Sequence, residues 1–157
     1  MIGALIVSLG LGFVGGLRSM TPLAVVAWAS RIGWMNLSNS RLAFMGSSWA
    51  VALFTLAALG EYVADLLPAT PARTAPFPLT VRIVVGLLTG ACVAIAGGFM
   101  LWVGVLGGAM GAIAGAFGGY RARVGLVRAL HVPDAVIAIP EDVVAIGLGL
   151  LLAYTLK

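Results

Sequence analysis

The stretch Leu101-Trp-Val-Gly-Val-Leu-Gly-Gly-Ala-Met-Gly-Ala-Ile-Ala-Gly-Ala-Phe-Gly-Gly119 contains no charged residue. It is about as long as the 20 residues that a helix needs to cross the hydrocarbon core of a bilayer. Its glycines recur every fourth residue along one helical face, at Gly107, Gly111, Gly115 and Gly119, and Gly104 and Gly108 begin a parallel row. A face without side chains lets another helix approach backbone to backbone. The stretch therefore predicts a membrane helix that packs tightly against a neighbour.

The composition of the whole chain also indicates a protein that lies in a lipid bilayer rather than in water. Hydrophobic residues make up 62% and charged residues 9%, against roughly 45–50% and about 25% in ordinary globular domains. We expect one all-α transmembrane domain over residues 1–157, in contact with the lipid bilayer. The net charge of +4 comes from arginines at the ends of apolar runs, where they anchor spans. A nucleic-acid partner is therefore not expected.

The apolar runs predict about five transmembrane helices plus one short helix. The five spans are roughly residues 2–17, 42–60, 80–97, 101–118 and 139–156. The segment from Thr21 to Trp34 is too short for a full crossing and predicts a re-entrant or interfacial helix. Between the second and third spans, Pro68, Pro71, Pro76 and Pro78 exclude a continuous helix. Abundant alanine, glycine and arginine with scarce lysine favour a bacterial cytoplasmic (inner) membrane, crossed several times.

Two segments of the chain match each other without gaps. Gly12-x-x-Gly15-Gly16-Leu17-Arg18-Ser19 aligns with Gly115-x-x-Gly118-Gly119-Tyr120-Arg121-Ala122, and each copy ends a span. The match suggests half-repeats at about 1–67 and 101–157, with a connecting span at about 80–97. If the segment 21–34 does not cross, the two copies run in opposite directions, as in the inverted-topology repeats of many secondary transporters. Independent glycine packing would produce the same match.

The first copy leads into a predicted anion site. Pro22 suits the first turn of the short helix, and Ser19 or Thr21 can cap it. Free backbone N–H groups at that helix start, beside Arg18, would attract an anionic group. The alternative is a capped interfacial turn from which Arg18 reaches the lipid headgroups.

Four carboxylates near span ends are candidate partners of the arginines. Glu61 and Asp65 share one helical face and could pair with Arg18, Arg82 or Arg121. Glu141 and Asp142 follow Pro140 in a predicted first turn, where the helix dipole alone favours negative charge.

No motif for catalysis or for a cofactor accompanies these charges. The chain has no H-E-x-x-H motif and no cluster of cysteine and histidine that would specify a metal. Its single histidine, His131, has no second ligand in view, and no serine has a recognisable catalytic partner. The sequence therefore predicts no catalytic residue, no metal and no cofactor.

Several motifs together resemble a family of small bacterial multi-span membrane proteins known as domain of unknown function 4126. They are Gly-Leu-Arg-Ser-Met-Thr-Pro at 16–22, Glu61 with Asp65 and Leu67-Pro68, Thr70-Pro71-x-Arg73-Thr74, Arg82, the glycine-rich span with Arg121, and Glu141-Asp142. The resemblance implies a small multi-span protein and no particular activity.

The leading hypothesis is a small transporter or channel-like protein for an anionic or polar solute, acting as a monomer or as a homodimer. Its predicted polar centre contains Arg18, Ser19, Thr21, Pro22, Glu61, Asp65, Arg82, Arg121, Glu141 and Asp142. One alternative is a membrane enzyme acting on a lipid phosphate, where the arginines would clamp the headgroup. Another is a structural protein in which buried ion pairs only hold the helices together.

Overall fold

The computed structural model describes residues 2–66 and 73–157, and this part of the chain is helical without any strand. A short 3-10 turn at Ala43–Gly46 precedes the third of six α-helices. The helices are α1 (Ile2–Leu17), α2 (Thr21–Arg31), α3 (Ser48–Asp65), α4 (Pro76–Ala96), α5 (Leu101–Leu130) and α6 (Asp134–Tyr154). The predicted all-α class is confirmed.

Within residues 2–66 and 73–157, three helices are long and apolar enough to cross a membrane, namely α4, α5 and α6. They coincide with three of the five predicted spans, and α1 is a shorter apolar helix of 16 residues. This set of helices points to a membrane protein. Helix α5 continues to Leu130 rather than ending near residue 118. The arginines that follow its glycines have high helix propensity, so their charge ends the apolar run without ending the helix.

Helix α5 packs on α1 with one glycine row and on α4 with the other. A Cβ atom added to Gly108 would lie 1.9 Å from the carbonyl oxygen of Gly86 on α4. On the other side, a Cβ on Gly111 would lie 2.1 Å from the carbonyl oxygen of Leu9 on α1. Both distances are far below van der Waals contact, so the helix backbones touch directly. The glycine rows therefore determine how closely these three helices pack.

Helices α1 and α5 run in the same direction, so the predicted inverted-topology repeat is wrong. Gly12 lies against Gly108, and Gly16 lies against Gly115 further along both helices. Residue numbers thus increase together in the two helices. The two glycine motifs are packed side by side rather than related by an inverted repeat.

The segment after Arg18 explains this direction. Val25 packs near Gly149 of α6, and the Trp34 ring lies 5.2 Å from the Tyr154 ring. The segment therefore runs alongside α6 away from Arg18 and reaches the opposite end of the bundle. Helix α2 is only 11 residues long, about 16 Å, and the turn that follows completes the return. The predicted re-entrant or interfacial helix is therefore not supported, and one further reversal of chain direction separates α1 from α5.

The proline-rich loop is only partly described. The predictions at Pro68 and Pro71, and the motifs Leu67-Pro68 and Thr70-Pro71, lie outside the described residues. Pro76 and Pro78 occupy the first turn of α4, where a missing N–H group costs no helical hydrogen bond.

We expect Gly108→Ala to destabilise the protein and Gly125→Ala, on the same helix, to leave it intact. The added methyl at position 108 meets backbone that cannot move aside, whereas nothing lies within 4 Å of a Cβ at position 125. Overpacking of this kind typically costs about 1–3 kcal/mol, and Gly→Ala in an open helix position gains up to about 1 kcal/mol. Thermal unfolding in detergent measures both. Equal melting temperatures for the two variants would contradict the packing described.

Candidate functional site

Most of the charged side chains gather where α1 and α3 end and α2 begins, beside parts of α4, α5 and α6. All five acidic residues of the chain and four of its nine basic residues take part in this cluster. We call it the charge network; its members are Glu61, Asp65, Asp134, Glu141, Asp142, Arg18, Arg73, Arg82 and Arg123. Their side chains come from distant parts of the sequence, so the network ties together the ends of separate helices.

Arg18 is the most deeply buried charge, with its side chain 1% exposed. Its Nη1 lies 2.8 Å from Asp65 Oδ2, and its Nε lies 2.5 Å from Asp142 Oδ1. The second contact is close enough for an ion pair, but neither atom forms a hydrogen bond there. Its Nη2 also has no hydrogen-bond partner within the described part of the chain. The two carboxylates therefore balance the positive charge of Arg18, while its Nε and Nη2 form no hydrogen bond within the described residues.

The start of α2 holds the carboxylate of Glu61. Glu61 Oε1 accepts hydrogen bonds from the backbone N–H of Ser19 at 2.8 Å and from its hydroxyl at 2.7 Å. Oε2 accepts a third from the backbone N–H of Met20 at 2.8 Å. Arg82 Nη2 lies 3.6 Å from Oε1. The anion at the predicted anion site is thus a side chain of the protein itself.

A hydroxyl pair lies next to this carboxylate. The Thr21 and Tyr62 hydroxyl oxygens are 2.7 Å apart. The ring of Tyr62 in turn lies 5.9 Å from the Arg18 guanidinium carbon. Pro22 is buried in the first turn of α2, and it shapes the helix start without offering a polar contact of its own.

Arg123 and Arg73 bind the remaining carboxylates. Arg123 makes a two-pronged pair with Asp134, and its Nη1 also lies 2.5 Å from Asp65 Oδ2. Arg73 makes a two-pronged pair with Glu141, with 2.9 Å between Nη2 and Oε2. A Cβ on Gly119 would lie 2.9 Å from Arg73 Nη1. Gly119 therefore leaves the space that this pair occupies.

The structure brings together nine of the ten predicted site residues and leaves Arg121 outside. Arg121 is exposed, while Arg123, two residues later, is buried in the network. Arg73, Asp134 and Tyr62 were not predicted either. A signal for Arg123 exists, because the four-residue row from Gly107 to Gly119 reaches Arg123 at its next step. The repeat alignment, which singled out Arg121, ignored that periodicity.

The arginine heads are more deeply buried than the carboxylates they bind. Asp134, in the first turn of α6, is 62% exposed, and the other four carboxylates are 11–19% exposed. Asp142 lies about 12 Å further along α6. The network therefore leads from an exposed acidic residue to the buried Arg18. Within the described ranges, no group of three histidine, cysteine or acidic residues could hold a metal ion.

We expect Arg123→Met to destabilise the protein strongly and Arg121→Met to have little effect. Loss of Arg123 leaves Asp65 without one of its two arginines, and removing one partner of a buried pair typically costs about 3–5 kcal/mol. An exposed substitution usually changes stability by less than about 0.5 kcal/mol. Melting temperatures in one detergent compare the two variants. A smaller loss for Arg123→Met than for Arg121→Met would contradict the assignment.

Comparison with known proteins gives one match. A family model described as Domain of unknown function (DUF4126) matches residues 5–156. No curated protein and no solved structure matches the chain.

Proposed function

The chain belongs to the family described as Domain of unknown function (DUF4126), and we propose that it is a small multi-pass transporter of the cytoplasmic membrane. Its solute would be small and anionic or polar. The family description carries no activity, so the proposal rests on the charge network. The observation that carries it is the carboxylate of Glu61, held at the start of α2 beside a buried arginine.

Charges inside a membrane protein need a reason. Moving one to the bilayer centre costs roughly 2.5–3.5 kcal/mol on insertion scales, and such charges commonly mark paths of solutes or ions. Here nine ionisable side chains extend from the exposed Asp134 to the buried Arg18. This continuity favours a path for a charged solute over isolated structural pairs.

Glu61 occupies a site that a solute carboxylate or phosphate could also fill. The two backbone N–H groups and the Ser19 hydroxyl that bind it would donate equally well to another carboxylate or phosphate oxygen. Helix starts bind such groups in many proteins, and short membrane helices use them for substrates. We propose that the solute replaces Glu61 at these donors during transport.

Helix α3 carries Glu61 and is the element that would move. Only Ala50, Val51 and Ala58 of α3 are buried, so little apolar packing within the described chain holds this helix. Phe54 adds one partly buried apolar contact with the core, and polar ties include the hydrogen bond from Trp28 Nε1 to the Thr55 hydroxyl at 3.1 Å. A helix attached mainly by polar contacts can move away from its neighbours when the polar groups of a solute replace those contacts.

The surrounding partner is proposed to be the lipid bilayer. Only 17% of the most apolar stretch of α6 is buried, and large side chains such as Val143 and Leu151 are exposed. In water this surface would promote aggregation. A homodimer over the same face is the alternative arrangement.

We expect Arg18→Ala to abolish binding of acetate and inorganic phosphate, and Arg31→Ala to leave binding unchanged. Arg18 is buried beside the proposed site, whereas Arg31 is exposed at the far end of α2. Ligand-dependent shifts of the melting temperature measure binding, and tracer uptake into proteoliposomes measures transport. A folded Arg18→Ala protein that binds and transports like the wild type would exclude this function.

A structural role is the second candidate, because every carboxylate of the chain has an arginine within 4 Å. It predicts that Arg73→Glu combined with Glu141→Arg restores the stability that either single change removes. It also predicts that the wild type shows no melting shift and no uptake with acetate or phosphate. A measurable shift with either anion would count against this role.

A further inference from the structure

A groove separates α2 from α3 along part of their length. At one end of it the Thr21 and Tyr62 hydroxyl oxygens are 2.7 Å apart, and at the other end Trp28 Nε1 donates to the Thr55 hydroxyl. Thr21 and Trp28 lie two turns apart in α2, which is about 10 Å along the helix. The two helices are therefore joined by hydrogen bonds at two levels. We call the space between these two hydrogen bonds the α2–α3 groove.

Small residues in the middle of both helices leave this space open. Ala24 of α2 and Ala58 of α3 line the groove, on the same helical faces as the residues that form the two hydrogen bonds. Leu59 of α3 and, from α6, Ile146 and Leu150 complete its apolar lining. The volume of about 360 Å³ falls within the roughly 300–1,000 Å³ of small-molecule sites. The groove is thus large enough to hold a segment of an alkyl chain.

The groove opens sideways onto apolar surface. Leu59, Ile146 and Leu150 line it and are also exposed. Helix α6, which carries two of them, is long and apolar enough to cross a membrane. With α6 in the bilayer, as proposed above, an alkyl chain would enter the groove from the lipid and not from water.

One hydrogen-bond donor is free at the Thr21 end of the groove. Two hydroxyl groups that share a single hydrogen bond have one O–H hydrogen left to donate. Within the described residues, neither the Thr21 nor the Tyr62 hydroxyl makes any other hydrogen bond. Both residues line the groove. The pair can therefore donate to an oxygen atom of a ligand and keep its own hydrogen bond.

The same end offers no free positive charge. No charged residue is among the described residues that line the groove. The Arg18 guanidinium carbon lies 5.9 Å from the centre of the Tyr62 ring, but Asp65 and Asp142 balance its charge. An anion that replaces the Glu61 carboxylate leaves the local charge unchanged, whereas an anion here would add an unpaired charge, which is costly in an apolar site. A neutral carbonyl oxygen avoids that cost.

We infer that the α2–α3 groove binds one acyl chain of a membrane phospholipid, whose ester carbonyl accepts the free hydrogen of the Thr21–Tyr62 pair. In a phospholipid the ester carbonyl stands at the head of the acyl chain. A single donor at one end of an apolar groove matches that arrangement. The chain fills the space that α3 leaves against α2 and α6. The inference rests on the proposed membrane location and not on the transport of a solute.

Two phospholipids that differ only in the linkage of their chains test the hydrogen bond. Diester phosphatidylcholine has the carbonyl oxygens, and diether phosphatidylcholine with the same chains lacks them. For the full chain in detergent, freed of lipid, we expect the diester lipid to raise the melting temperature by about 2–4 °C more than the diether lipid, as one hydrogen bond would. Thr21→Val combined with Tyr62→Phe should respond equally to both lipids. Equal shifts in the wild type, or a diester preference that survives in the double variant, would overturn the inference.

Filling the groove tests the position of the acyl chain. Ala24→Phe places a ring between the two hydrogen bonds and should remove the diester preference, together with one bound lipid in native mass spectrometry. Ala52→Phe adds the same ring at an exposed position of α3 outside the groove and should keep both. A folded Ala24→Phe protein that binds lipid like the wild type would contradict the assignment. Uptake of acetate or phosphate is measured separately, so the lipid site and the transport function can fail independently.

Discussion

The contact of α5 with α1 and α4, backbone against backbone, is the constraint from which the other features follow. It fixes the height of α1 against α5, so that the end of α1 meets Gly119. Arg18 follows that end directly, and Arg123 lies one turn beyond Gly119. The two arginines therefore reach the same carboxylate, Asp65. Wider helix spacing would separate them and break the network.

The remaining helices are attached in a different way. Helix α3 buries few side chains and is held by Glu61, Tyr62 and Asp65 at its last turns. The α1–α4–α5 core is held by close backbone contacts, and Arg82 of α4 adds a buried hydrogen bond from its Nε to the carbonyl oxygen of Gly16 on α1 at 3.1 Å. The polar attachment of α3 depends on how neighbouring groups are ionised. The fold thus combines a core held by backbone contacts with a helix held largely by polar contacts.

The helices and most of the site could be predicted from sequence because local patterns encode them. Apolar runs set helix length, glycine spacing set the close contacts, and Pro22 marked the start of α2. The direction of α5 relative to α1 could not be predicted, since it depended on whether a segment of intermediate length returned across the bundle. Arg73 lies in a loop without periodicity, so no pattern pointed to its pairing with Glu141.

The edge-to-face contact of Trp34 with Tyr154 lies at the end of the bundle opposite Arg18. One end is therefore joined by aromatic and aliphatic contacts and the other by ion pairs. Salt weakens interactions between accessible charges and leaves apolar contacts intact or strengthens them. Of the charge network, Asp134 is the most exposed member and is therefore the one that salt screens most, whereas the apolar contacts at the other end are not screened.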